Sequence, residues 1–241
     1  MTTTPDARTP AHEAHDHGHG HDAEAHAAAE AARPAGNGAA YWDARYGENE
    51  RFWSGEPNAV LVREITGLTP GTALDLGCGE GADAVWLARA GWRVTGLDVS
   101  AVALERAARH AEETGTADRT RWLAHDLTTG FPAGEWDLIS ACFLHNRGEF
   151  PREEILRAAA RAVAPGGTLL IAGHAGWAPW TPDPDHTVLF PTPEEVVASL
   201  ELPEGAWEVV TATETDREQL TPEGEHAHRT DNVVRVRRLP A

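Results

Sequence analysis

From Thr72 onward the chain alternates between short β-rich apolar runs and amphipathic helical stretches, a pattern few folds accommodate. TALDLG (72–77) reads as a strand, ADAVWLARA (82–90) as a helix, and WRVTGLDV (92–99) as a second strand. A helix over 101–114, strands at RTRWLAHD (119–126) and EWDLISACF (135–143), a helix over 151–163 and a strand at GTLLIAGH (167–174) continue the series. A helix near 193–200 and two β-rich segments, AWEVVTATE (206–214) and DNVVRVRRL (231–239), close it. The hydrophobic period changes between two and 3.6 at each step. Strand–helix–strand units close right-handed onto a parallel sheet covered on both faces. The expectation is an α/β domain with a doubly wound, mostly parallel sheet of seven strands. Ligands of such sheets lie beyond the carboxyl ends of the strands, where the strand order reverses. The chemistry is therefore expected just after residues 76, 97, 124, 141 and 172.

The densest signal is ALDLGCGEGADAVWLA (73–88), where a strand runs into Gly77, Cys78 and Gly79 and then a helix. Glycines there permit a tight turn and close approach of a ligand to the backbone. On its own this pattern fits a dinucleotide fold as well. Three acids shift the balance. Asp98 ends the second strand, about 20 residues after the turn, where a carboxylate can hold both ribose hydroxyls. Asp126 ends the third strand, where it can accept from an adenine amine. Asp75 stands beside the turn, and a negative charge there favours a cationic amino-acid end over a pyrophosphate.

Residues 1–38 differ from the rest. HEAHDHGHGHDAEAH (12–26) holds no bulky apolar residue, so it cannot bury a core and is expected to be a disordered tail ahead of a domain over 39–241. Six of the 13 histidines precede residue 27, and His15, His17, His19 and His21 alternate beside Asp16 and Asp22. Imidazole and carboxylate give this tail divalent-metal affinity without fixed geometry. The folded part begins near Tyr41 with an aromatic-rich segment, followed by a helix from about Asn58 to Ile65. The formal charge of −18 repels phosphate backbones, which argues against nucleic acid and for a small-molecule substrate. No apolar run is long enough for a membrane span, the start lacks a signal-peptide pattern, and two cysteines make no disulfide framework. A soluble, cytoplasmic protein is expected.

DLGCGEG, GLDVS, HDL, WDLISACF and APGG (164–167) occur in the order seen in class I S-adenosylmethionine-dependent methyltransferases, and the chain resembles that Rossmann-like family over roughly residues 41–240. WDARYG and FWSGEPN ahead of the glycine turn make it similar to the small-molecule branch that contains tellurite-resistance and thiopurine methyltransferases. The resemblance implies S-adenosylmethionine as cofactor. It implies that Asp75, Gly77, Cys78 and Gly79 hold the methionine end, that Asp98 takes the ribose with Val99 against the adenine, and that Asp126 and Leu127 read the adenine edge. Cys142 and Phe143 would pack the sulfur side, with Trp42 and Trp53 closing over the cofactor.

For the acceptor, the loops after the fourth and fifth strands and the segment before the last one offer candidates. His145 and His174 are the expected proton acceptors, with Arg147, Trp177 and Arg229 on the substrate. A thiol or chalcogen oxyanion, being soft or anionic, suits such a site. The proline-rich segment 179–195 is expected to cross the cofactor face as a lid. Two other readings stand beside the transferase: a nicotinamide-dependent oxidoreductase, and a metal-binding, cofactor-sensing protein without catalysis. Against the first, both tyrosines precede the first strand of the series and the chain holds no lysine, so the common Tyr/Lys pair is missing.

Overall fold

The computed structural model describes residues 38–50, 52–146, 150–181, 190–221 and 224–240. All fall within one compact unit, Ala35–Ala241. The expected tail (Gly38 excepted), Arg147 and the stretch 182–189 of the expected lid lie outside the described residues.

Two short helices, α1 (Ala39–Gly47) and α2 (Ala59–Ile65), lead into β1 (Thr72–Leu76), α3 (Ala82–Arg89), β2 (Arg93–Asp98) and α4 (Ala101–Glu113). Then come β3 (Thr120–Ala124), a single 3-10 turn (Leu127–Thr129), β4 (Trp136–Cys142), α5 (Arg152–Arg161) and β5 (Val163–His174). Finally α6 (Pro193–Ser199), β6 (Trp207–Leu220) and β7 (His226–Arg238) follow. The seven strands form one sheet in the order β3-β2-β1-β4-β5-β7-β6. The first five run parallel, whereas β7 is antiparallel to both β5 and β6. The expected doubly wound, mostly parallel sheet is what forms. Its order reverses at β1, between β2 and β4.

Alternation along the strands builds a core on each face. Ala73, Leu138 and Leu170 pack with Leu61, Ile65 and Leu87 of α2 and α3. Their neighbours Leu74, Ile139 and Leu169 pack on the opposite face with Ile155, Leu156 and Ala159 of α5 and Val196 of α6. Continuous apolar strands of this kind are the signature of a sheet buried on both sides. α4 begins at a Ser100 cap whose hydroxyl accepts from Ala103 N at 3.1 Å. α6 begins with a capping box, Thr192 with Glu195.

The largest departure from expectation lies at the last two strands. The sequence placed His226, His228 and Arg229 ahead of the final strand and ended the preceding one at residue 214. In the structure β6 and β7 extend as a paired hairpin, with Arg217 opposite Arg229 and Leu220 opposite His226. Within β5, Thr168–His174 pairs with β7, and the hairpin continues past His174 as an overhang in which His226–Thr230 lies opposite Asp216–Leu220. Arg237 and Glu208, at the hairpin's other end, form an ion pair at 2.8 Å. Among the described residues, no helix is long and apolar enough to cross a membrane.

Gly96 sits mid-strand in β2, and a Cβ there would lie 2.5 Å from Cζ3 of Trp122 and 3.0 Å from Cys78 Sγ. The indole is rigid and cannot swing away. Gly96→Ala is therefore expected to lower stability by about 1–3 kcal/mol, as overpacked cores do; urea unfolding of the variant against the parent checks this.

Candidate active site

The carboxyl ends of β1, β2, β4 and β5 open onto a cavity of about 610 Å³, within the 300–1,000 Å³ common for small-molecule sites. Its floor is the turn after β1. Gly79 has φ +54°, and a Cβ there would stand 2.8 Å from the Tyr46 hydroxyl. Asp98 fixes this turn: one carboxylate oxygen accepts from Gly79 N at 2.9 Å and the other from Ser100 N at 2.9 Å. The Val99 backbone N–H also bonds this carboxylate, whose two oxygens can accept about four hydrogen bonds in all.

Three buried carboxylates gather here, Asp75, Asp83 and Asp98. Asp75 accepts from Ser140 Oγ at 2.7 Å through one oxygen, while the other is buried with no hydrogen-bond partner. Burial, then the neighbouring charges of Asp83 and Asp98, push its pKa well above the usual carboxylate range despite the Ser140 bond. Asp83 is held by Asn58, which donates from its backbone N at 2.7 Å and from Nδ2 at 2.8 Å. Burial raises the pKa of Asp83 and of Asp98 as well. Such a floor favours a cation and disfavours phosphate.

The segment before the fold is tied down over this floor. Glu80 accepts from Phe52 N at 3.1 Å and Trp53 N at 2.9 Å, and pairs with Arg106 at 2.8 Å. Arg106 also donates to Asn49 O at 2.6 Å. Burial alone would raise the Glu80 pKa, but Arg106 and the two N–H groups outweigh it and hold the carboxyl below its usual value. Asp43 of α1 accepts from Ser100 Oγ at 2.6 Å and Val102 N at 3.2 Å, fastening α1 to the start of α4. Trp42 reaches across to donate to Asn146 at 3.3 Å. Trp42, Tyr46, Phe52 and Trp53 thus make an aromatic wall.

The opposite wall is basic. Phe143, immediately after β4, adopts φ +56°, a left-handed conformation that strains a bulky residue. Its N–H donates to Ala172 O at 2.9 Å, and its ring lies 4.8 Å from that of His174 and 5.6 Å from the Arg217 guanidinium. His145 and His174 stack at 5.1 Å. Burial, then His174 and the arginines 152 and 229, lower the His145 pKa to about 3. His174 Nδ1 bonds Asp231 at 2.9 Å, and the other Asp231 oxygen accepts from Arg217 Nε. Burial lowers the His174 pKa more than Asp231 raises it. Arg229 lines the same wall with its Nε buried and unpartnered.

The cavity brings together Asp75, Gly77, Cys78, Gly79, Asp98, Val99, Asp126, Leu127, Cys142, Phe143, Trp42, Trp53, His145, His174 and Arg229 from the residues singled out in the sequence. Asp126 turns one oxygen to Thr128 N at 2.9 Å and caps the 3-10 turn. Cys142 hydrogen-bonds Asp83, and burial pushes its thiol, like that of Cys78, well above the ordinary range. Trp177 does not line the cavity; it packs edge-on against Phe190 at 5.5 Å. Sequence reasoning missed Glu80, Asp83, Asp231, Arg217 and Gln219. The acid in the first turn of α3 was a readable sign of Asp83. Among the described residues, no group of three or more His, Cys, Asp or Glu could hold a metal ion.

Residues 73–167 match the family described as a methyltransferase domain. The 2-heptyl-1-hydroxyquinolin-4(1H)-one methyltransferase of Mycobacteroides abscessus is 32% identical over 152 residues, covering 61% of this chain and 66% of that protein. A probable thiol methyltransferase 2 of Arabidopsis thaliana is 34% identical over 106 residues, 43% of this chain and 47% of that one. The chain thus spans just under two thirds of the first relative and about half of the second. Among solved structures, one described as "Conversion of a Disulfide Bond into a Thioacetal Group during Echinomycin Biosynthesis" superposes with TM-score 0.64 at 26% identity, covering 82% of this chain and 90% of that one. TehB from Haemophilus influenzae gives 0.61 at 17%, covering 83% and 68%. The N-methyltransferase NodS from Bradyrhizobium japonicum, in complex with S-adenosyl-L-homocysteine, gives 0.58 at 21%, covering 80% and 95%.

Two acids of the site should bend the pH–stability curve in opposite directions. Glu80, held below its ordinary value, contributes stability that is present above the unfolded carboxylate pKa of 4.5 and lost as pH falls through its folded value. Asp75, raised in the fold, removes stability as pH climbs from the unfolded value of 3.8 toward its folded one. Urea midpoints between pH 3 and 9 are expected to show a flatter acid limb for Glu80→Gln and a gain at neutral and alkaline pH for Asp75→Asn.

Proposed function

We propose that the chain is a class I S-adenosylmethionine-dependent methyltransferase whose acceptor is a small molecule bearing a thiol or a chalcogen oxyanion. The catalytic unit in this reading is residues 39–241.

The cofactor end follows from the floor. An unpartnered buried oxygen on Asp75 suits the ammonium of the methionine moiety. The missing Cβ at Gly79 leaves space that a side chain would fill. Asp98 would take the ribose hydroxyls on its remaining acceptor capacity, and Asp126 with Leu127 the adenine edge. Cys142 and Phe143 would flank the sulfonium, with the Trp42 and Trp53 rings offering electron-rich faces to its charge. The cofactor, when bound, supplies an electrophilic methyl group and leaves as S-adenosylhomocysteine.

One observation carries the acceptor assignment: Arg217 and Arg229 stand directly opposite one another on β6 and β7, both on the cavity wall. Like charges directly across a ladder destabilise it. Asp231 offsets Arg217, but Arg229 keeps a buried, unpartnered Nε. An anionic or anion-forming group between the two guanidiniums relieves both strains. The thiol methyltransferase relative supports the same class of acceptor. His174 serves as the base where a proton must leave. His145, its pKa near 3, stays neutral and packs against it.

Calorimetric titration of S-adenosylmethionine is expected to show binding that weakens about 10- to 100-fold in Asp75→Asn, the range for losing one charged hydrogen bond. S-adenosylhomocysteine production is then followed with tellurite, selenite, small thiols and small amines. Turnover of thiols or oxyanions that drops in Arg229→Met supports the assignment; methylation confined to neutral amines would falsify it.

A further inference from the structure

Resting on the thiol reading above, we propose that the acceptor enters with its proton on and that Asp231 is a positioning residue, setting His174 to receive that proton on Nε2. Asp231 is 2% exposed, and both of its oxygens are committed. Arg217 Nε holds one, and His174 Nδ1 lies 2.9 Å from the other. A carboxylate can only accept, so the neutral imidazole carries its proton on Nδ1 and its free lone pair on Nε2. The ring is held on its other sides as well. Phe143 lies 4.8 Å from its centre, and the His145 ring stacks at 5.1 Å. The backbone N–H of His174 also donates to His145 Nε2 at 3.4 Å, which holds the His145 ring beside it.

The three strands divide the work. β5 ends at the base, β7 brings Asp231 beside it in register with His174, and β6 brings Arg217 across from Arg229. In the step itself the S–H bond breaks and its electron pair stays on sulfur. The proton bonds to Nε2, leaving an imidazolium next to Asp231 and a thiolate near the two guanidiniums. Nothing is oxidised or reduced, and the proton later passes to water. An acceptor already ionised, such as an oxyanion, has no need of this pair, so the pair itself points to a thiol. Among the described residues, the charged and titratable groups around His174 are Asp231 and Arg229 on β7, Arg217 on β6, His145 after β4 and Arg152 of α5.

The test compares two thiols with saturating S-adenosylmethionine at pH 7: benzyl mercaptan, protonated there, and 4-nitrothiophenol, already a thiolate. Asp231→Asn is expected to cut kcat with benzyl mercaptan about 100-fold or more, the scale of a lost general base, while 4-nitrothiophenol changes less than about threefold. His174→Gln, a second variant should the first fail to fold, is expected to give the same selectivity. In the parent protein, benzyl mercaptan turnover should rise with pH and level off below the ordinary imidazole value of 6.5; 4-nitrothiophenol should show no such limb. Equal losses for both thiols in both variants mean that Asp231 only holds Arg217 and the wall together, which overturns the positioning role and leaves the thiol assignment standing. If the parent binds S-adenosylmethionine yet methylates neither thiol, the thiol assignment falls and this inference falls with it.

Discussion

Asp98 joins the glycine turn to the start of α4 and, through Ser100, to α1. Its carboxylate accepts from the glycine turn through Gly79 and from the start of α4 through Ser100. Ser100 in turn donates to Asp43 of α1. The floor of the cavity, α4 and α1 are therefore linked through one buried acid, and Glu80 separately holds Phe52 and Trp53 of the aromatic wall. The arrangement requires burying charge, and the raised pKa values of Asp75, Asp83 and Asp98 show that solvation is given up to do so.

The cavity is electrically polarised. Carboxylates crowd its β1–β2 end, and guanidiniums with imidazoles line its β5–β7–β6 end. The first end suits a positively charged group, while an anion or nascent anion is favoured at the second. Phe143 belongs to the second end: from its left-handed backbone position its ring packs near His174 and the Arg217 guanidinium.

Most of the fold was legible because buried parallel strands announce themselves: TALDLG and WDLISACF are apolar runs with clear boundaries. The residues on the cofactor side were legible for the same reason, since they follow those strands directly. What escaped was the overhang of β6 and β7. TDREQL and EHAHRT are rich in charge, and acidic residues are poor strand formers, so nothing in the local pattern favours a strand there. Those stretches are strands because each supplies the other's backbone partners. Asp231 heads the strand expected at 231–239, but its bond to His174, 57 residues away in sequence, appears only once β5 and β7 pair. Glu80 hides inside the glycine motif, and its task appears only once Phe52, Trp53 and Arg106 surround it.

The overhanging hairpin also bears on how such a chain can diverge. Along its last turns Thr215, Arg217 and Gln219 are half-buried, while Asp216, Glu218 and Leu220 are exposed, an alternation with period two. The ladder is held by backbone bonds, so the inner-face side chains can be exchanged over generations without disturbing the sheet or the cofactor floor. Point substitutions there would retune acceptor choice gradually. Loss of one residue from the strand would do something more abrupt: it would turn Asp216 and Glu218 inward and reverse the sign of the wall at a single stroke.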